Sequence, residues 1–374
     1  MRRQLSFFSA VALLVGTQIG AGILGLPKVL APLGFFWGPV ALFITAYLLA
    51  MTAVMLVEAL YLTNPRYNYF DLASHYLGRF GVILVLTVLY AGYGALIAYI
   101  SGLGQVLSFF AGGDPYFWSF IVWAVLSAAV LFGPRFSGPA RESLTVFMIL
   151  LVVTVFLWAL PEMKPYTARF DLSAFAMALG VAIFGFSSHT VIPEVVQGVR
   201  NMNKTILAIL FSFSIVFIVY ALFSLSVIGV AGSEVTEIGT LVLVENLGGD
   251  LYFIAILLPL LTIVTSYLGT GIAQRDILQE IFGNRILAWF LAVVPPIVLY
   301  IFGYDTFVGM IWLASFGIIV ACGILPPVLF LYARKEKRRS LTPIPNWFAY
   351  TTLLFFSVLL AYSVFGTIFG YIKI

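Results

Sequence analysis

Stretches of about 20 predominantly apolar residues follow one another from end to end of this sequence, separated by short polar or turn-forming segments. A helix of that length crosses a hydrocarbon core of about 30 Å. Lipid offers no partner to a bare backbone amide, so a chain in that solvent must be helical or a closed barrel. Eleven spans are expected, at 5–31, 35–63, 80–110, 117–134, 142–160, 172–198, 204–231, 250–274, 286–303, 307–333 and 346–372. Turn residues fill the gaps, as in GGDPY, GPRFSGPAR and PEMKPY. Only 9% of residues are charged, against about 25% in soluble domains, so the chain cannot cover a water-facing surface. An all-α integral membrane protein with no separate soluble domain is expected.

The basic residues sort by side. With the amino end in the cytoplasm, fifteen Lys and Arg fall on inner segments: Arg2, Arg3, Arg66, Arg79, Arg135, Arg141, Arg200, Lys204, Arg275, Arg285 and five in RKEKRR at 334–339. The outer segments hold Lys164, Arg169 and Lys373, and Lys28 lies within the first span. This asymmetry places the amino end inside and the carboxyl end outside the cell membrane. RKEKRR then reads as a stop-transfer anchor, and the net charge of +4 as topology rather than affinity for nucleic acid. MRRQLSFFSAVALLVG has the form of a signal peptide, but the apolar run continues into ILGLPKVLA, which favours a first span. The single cysteine, Cys322, excludes an intramolecular disulfide, and no zinc spacing or phosphate-binding loop occurs.

Two spans are interrupted. VGTQIGAGILGLP at 15–27 breaks the first, and GFSSHT at 185–190, followed by Pro193, breaks the sixth. Each opens a set of five spans, and five being odd, the two sets run in opposite orientations. The expected organisation is a first repeat at 1–160, an inverted repeat at 161–340 and an additional helix at 341–374. Irregular backbone at mid-membrane is tolerated where it lines a cavity. A broken helix exposes N–H groups at the start of its second half and C=O groups at the end of its first, attracting an anion and a cation respectively. A zwitterion travelling with a cation suits such a site. Thr17, Gln18, Gly20, Ala21, Gly22, Phe184, Phe186, Ser187 and His189 are the candidate substrate contacts, although Gly16 and Gly20 also have the spacing of a helix-packing face.

GTQIGAGILGLP, FGFSSHTVIPE at 184–194 and TSYLG at 265–269, in that order, resemble the first, sixth and eighth helices of the hydroxy and aromatic amino acid permeases. That family, which includes the tyrosine and tryptophan permeases, belongs to the amino acid/auxin permease group of the amino acid-polyamine-organocation superfamily. The resemblance runs through spans one to ten, with the eleventh as the family's usual addition. It implies the leucine-transporter fold and uptake of an amino acid, aromatic or otherwise large and neutral, driven by a cation gradient.

Carried over, the fold's sodium position falls on the carbonyls of Gly16, Ile19 and Thr262 and the hydroxyls of Thr265 and Ser266, five oxygens suited to a hard cation. Gly16 stands where sodium-coupled members often have asparagine, and Thr and Ser in apolar helices commonly bond back to their own carbonyls. Protons, common in bacterial members, would instead use His189 or Glu194. The resemblance also offers Tyr93, or its neighbour Tyr90, to the substrate carboxylate. Glu58, Arg275, Asp276 and Glu280 are expected as an inner gate or as solvated pairs. Beyond the coupling ion no cofactor is implied, and no obligate protein partner. Rival readings are an intramembrane enzyme using Ser187-Ser188-His189, a channel, and a carrier of another small solute such as a nucleobase.

Overall fold

The computed structural model describes residues 4–133, 138–249 and 252–370. Arg2, Arg3, Arg135 and Lys373 of the charge pattern, and the side chain of Arg141, lie outside the described residues. Helices fill the described chain: α1 (Phe7–Gln18), α2 (Gly22–Leu30), α3 (Gly34–Thr63), α4 (Tyr69–Leu77), α5 (Val82–Ala111), α6 (Pro115–Phe132), α7 (Gly138–Ala159), α8 (Leu172–Gly185), α9 (Ile192–Val199), α10 (Met202–Ala231), α11 (Gly239–Leu247), α12 (Tyr252–Phe282), α13 (Arg285–Ile301), α14 (Phe307–Ile318), α15 (Leu325–Lys337) and α16 (Asn346–Ile368). Among the described residues, nine helical stretches are long and apolar enough to cross a membrane. Phe7–Gln18 and Arg285–Ile301 are apolar but shorter.

The expected first span is divided into α1 and α2, and the expected sixth into α8 and α9. The expected tenth is divided too: a π-helical turn, Ile319–Ile324, separates α14 from α15. Pro326 and Pro327 follow that turn. They have no N–H to return to the carbonyls of Cys322 and Gly323, so the helical register widens there. Two short helices occupy expected loops. Asn68 starts α4 with a reciprocal Asn68–Asp71 capping box, and α11 follows the polar segment that carries Glu237.

The two divided spans sit at the centre of the bundle. α1 packs against α7, α9 and α10, while α2 packs against α8, α10 and α11. α3 and α14 flank α8, and α5 lies against α12 and α14. The free start of α1 is tied to the end of α9, where the Leu5 N–H donates to the Gly198 carbonyl at 3.1 Å.

The charges at the α1-start end of the bundle are organised more tightly than the sequence suggests. Glu58 is fully buried, and its two oxygens receive Arg334 Nε at 2.7 Å and Nη2 at 2.9 Å. The backbone N–H groups of Leu341 and Thr342 and the Thr342 hydroxyl also donate to it. Arg334 therefore belongs to an internal clasp between α3, α15 and the approach to α16, not to an exposed stop-transfer cluster. Arg275 is likewise buried. It donates to the Val130 carbonyl at 2.6 Å, and Arg285 donates to Leu131 at 2.7 Å. Both neutralise the carbonyl end of α6, while Asp276 pairs with Arg275 at 2.6 Å.

Candidate functional site at the meeting of two broken helices

α1 ends because the chain turns out of helical geometry at Ile19, whose N–H still bonds the Val15 carbonyl at 2.7 Å. Three residues, Ile19 to Ala21, separate it from α2. The Ala21 N–H leaves the chain altogether and donates to the Ser266 hydroxyl on α12 at 3.2 Å. α8 ends at Gly185, and Phe186 to Ser188 lead into a single 3-10 turn, His189–Val191, before α9.

The two breaks touch. A Cβ on Gly22 would lie 3.1 Å from the Gly185 Cα, so only glycine permits this backbone-to-backbone approach. The Gln18 amide donates to the Ser188 hydroxyl at 2.9 Å, and both residues are buried. The Tyr220 hydroxyl, on α10, lies 2.5 Å from the Gln18 carbonyl and 3.1 Å from the Gly185 carbonyl. The Tyr99 hydroxyl, on α5, reaches Ser266 and Thr270. His189 Nε2 lies 2.9 Å from the Thr52 hydroxyl. Gln18 Oε1 and His189 Nδ1 are buried without a protein partner. Buried polar atoms left so are costly unless a ligand or water meets them.

The approaches to the breaks differ. On the side bearing the start of α1, Thr17, Thr190 and Glu194 are exposed, and a Cβ on Gly269, one turn beyond Ser266, would meet nothing. On the other side every residue of α2 except Lys28 is buried. Phe307 is wedged between Gly25 and Gly102, and Gly239 of α11 abuts Pro27. Glu237 accepts from the first N–H of α14, Phe307, at 2.7 Å, and Lys28 donates to the Val235 carbonyl at 2.8 Å. The breaks are therefore flanked by exposed residues on one side and by buried ones on the other.

Comparison with known proteins places this arrangement in a family. A family model described as tryptophan/tyrosine permease matches residues 3–364. This chain belongs to the tryptophan/tyrosine permease family. Among curated relatives it is 24% identical to the low affinity tryptophan permease of Escherichia coli, over 88% of each chain. It is 26% identical to the tyrosine-specific transport system 1 of Haemophilus influenzae, over 93% of this chain and 92% of that one. It is 22% identical to the glutamine transporter 2 of Aliivibrio fischeri, over 88% and 90%. In fold it resembles the crystal structure of an Eremococcus coleocola manganese transporter in complex with an aromatic bis-isothiourea substituted compound. The TM-score is 0.70 at 14% identity, covering 98% of this chain and 87% of that one.

A multi-pass membrane permease, not an enzyme, is thus the class. Gln18, Gly20, Ala21, Gly22 and His189 surround the meeting point of the breaks. Phe184 is half-buried beside Gly22. Thr17 donates to the Leu13 carbonyl at 2.7 Å on its own helix, and Ser187 donates to the Phe184 carbonyl at 2.8 Å. Phe186 is packed within the bundle instead: fully buried, it stacks on Phe213 at 6.0 Å and meets Tyr220 edge-on at 5.0 Å. Tyr93 is directed to another helix, donating to the Leu291 carbonyl on α13 at 2.8 Å. Tyr99 is the α5 tyrosine that faces the break. Glu194 is exposed in the first turn of α9.

Around the expected cation position, Ser266 reaches the unwound segment. Thr262 and Thr265 donate to the Leu258 and Leu261 carbonyls, at 2.8 and 2.7 Å. A hydroxyl that donates its proton along its own helix keeps lone pairs for a cation, but the Thr262 carbonyl of the expected set also accepts from the Thr265 hydroxyl at 3.3 Å. A Cβ on Gly16 would meet the Thr145 hydroxyl of α7, which would have to shift, so this glycine has a packing reason of its own. Tyr220, Tyr99 and Thr52 escaped the sequence reading, and Ser188 entered it only as part of the rival enzyme reading. Tyr220 and Thr52 sit in long apolar runs with no neighbouring polar motif to mark them.

Proposed function

We propose that this chain carries an aromatic or other large neutral amino acid across the cell membrane by alternating access, coupled to a cation. The observation that carries the reading is the backbone contact of Gly22 with Gly185, which brings the ends of four half-helices to one point. In this reading the substrate carboxylate lies at the amino end of α2 and its ammonium against the carbonyl ends of α1 and α8. Phe184 borders the side-chain pocket. The relatives named for tryptophan and tyrosine support an aromatic substrate, and the one named for glutamine makes that amino acid the sharpest competitor to test.

The chain crosses the membrane eleven times in this reading. Residues 1–160 and 161–340 form inverted five-span halves, and 341–374 supply the last crossing. The amino end lies in the cytoplasm and the carboxyl end outside. The exposed side of the breaks then faces inward, and α11 with Phe307 covers the outer side. Counterflow in proteoliposomes tests the proposal: vesicles preloaded with unlabelled tryptophan should transiently accumulate labelled tryptophan or tyrosine above equilibrium. Absence of counterflow for every amino acid, with exchange of a nucleobase instead, would overturn it.

A further inference from the structure

The carbonyl ends of two half-helices converge on one phenol. Gln18 is the last residue of α1 and Gly185 the last of α8, and the Tyr220 hydroxyl lies within hydrogen-bond distance of both carbonyls. A helix carboxyl end carries the equivalent of about half a negative charge, and its final carbonyls lack helical donors. Two such ends held side by side repel unless a donor or a cation stands between them. Transporters with broken helices place sodium or a proton among carbonyls of this kind. Here the position is already filled by an uncharged O–H.

That hydroxyl is held firmly. Tyr220 is fully buried and its ring meets Phe186 edge-on at 5.0 Å. A Cβ on Gly185 would lie 3.0 Å from both the ring and the hydroxyl, so the glycine makes room for the phenol. The Gly20 N–H also donates to the Gln18 carbonyl, at 2.9 Å. The Gln18 amide donates to Ser188, and the Tyr99 hydroxyl reaches Ser266 and Thr270. The phenol and the Gly20 N–H bring two protons to two carbonyls with four lone pairs, so acceptor capacity remains, chiefly at Gly185, for a substrate ammonium.

We propose that Tyr220 is a positioning residue that takes the place of a cation between the two breaks. It fixes the ends of α1 and α8 at the spacing a substrate ammonium requires, and the junction itself binds no coupling ion. This inference rests on the reading that substrate binds between the breaks, and its test separates the two. Tryptophan binding to the purified full chain is measured in sodium chloride and in choline chloride. Tyr220→Phe keeps the ring but removes the proton, and should weaken binding about tenfold in choline, the scale of one buried acceptor losing its donor. Tyr220→Ser opens room for an ion. It should bind as weakly in choline and recover in sodium, and should still recover when combined with Ser266→Ala, which removes the α12 hydroxyl.

Wild-type affinity of Tyr220→Phe in choline would overturn the proposal. So would equal sodium responses of wild type and Tyr220→Ser. Should Tyr220→Phe fail to elute as the wild type does, the sodium response of Tyr220→Ser decides. Gly22→Val, which forces the breaks apart, is the control. Normal tryptophan binding by Gly22→Val removes the substrate site from the breaks altogether. Loss of binding there, with Tyr220→Phe unaffected, removes only the role of Tyr220.

Discussion

A Cβ on Gly20 would lie 2.6 Å from the Ser266 hydroxyl, whereas one on Gly22 would lie 3.1 Å from the Gly185 backbone. The first neighbour is a side chain that can rotate, and the second is a main chain that cannot. Gly20→Val should therefore leave a folded protein that has lost the Ala21–Ser266 bridge and, with it, tryptophan binding. A binding isotherm like the wild type's would show that Gly20 lies outside the site. The two phenylalanines at the other break differ in the same concrete way. Phe186 is enclosed by Phe213 and Tyr220, so Phe186→Ala should cost about 3–5 kcal/mol of stability by leaving a cavity. Phe184 is half-buried beside Gly22, so Phe184→Ala should keep the melting temperature near the wild type's and shift the preference between tyrosine and alanine. Competition binding and thermal melts on both variants check the pair. A Phe186→Ala chain that melts normally but changes selectivity would reverse the assignment.

At the scale of helices, the division of the first and sixth spans was legible because glycine, serine and threonine interrupt runs that are otherwise leucine, valine and phenylalanine. The phase of α5 was not. Tyr93 and Tyr99 are six residues apart, which puts them about 120° apart around a helix. A helix that is apolar on all sides carries no pattern to say which face turns inward. Only packing against α12 and α13 decides that Tyr99 meets Ser266 and Tyr93 meets Leu291. The Glu58–Arg334 clasp was hidden for a different reason, since its partners are 276 positions apart and Arg334 stands within a basic run. Every oxygen of Glu58 is occupied, so the clasp is expected to hold α15 and the start of α16 to α3 rather than to gate transport. Arg334→Met should cost about 3–5 kcal/mol by stranding a buried carboxylate. Glu58→Gln combined with Arg334→Met should recover part of that loss, with uptake per folded molecule preserved in both. Loss of uptake at unchanged stability would make the clasp a gate after all.

For the molecule as a whole, the proposal of coupled transport requires an ion whose binding favours one state of the cycle over the other. Two places compete for that role. Near the unwound segment, Ser266 touches the Ala21 N–H, and Thr265 stands on the preceding position of α12 with lone pairs uncommitted by its bond to Leu261. At the second break, His189 is fixed to Thr52 through Nε2, with Nδ1 lacking a protein partner. A histidine can carry a proton near neutral pH, but its burial and its bond to a neighbouring helix also give it an ordinary packing role. Thr265 bonds its own helix carbonyl as a packed threonine does, but the Ser266 hydroxyl is turned to the chain break, which packing alone does not require. We propose sodium on the α12 side as the coupling ion, although Gly16 contributes no side-chain oxygen. Thr265→Ala should weaken the sodium-dependent part of tryptophan binding several-fold, with binding in choline unchanged, whereas His189→Gln should leave the sodium dependence as it is. Uptake into proteoliposomes under separately imposed sodium and pH gradients provides the decisive comparison. Transport that proceeds fully without sodium, follows the pH gradient and vanishes in His189→Gln would assign the coupling to a proton at the second break.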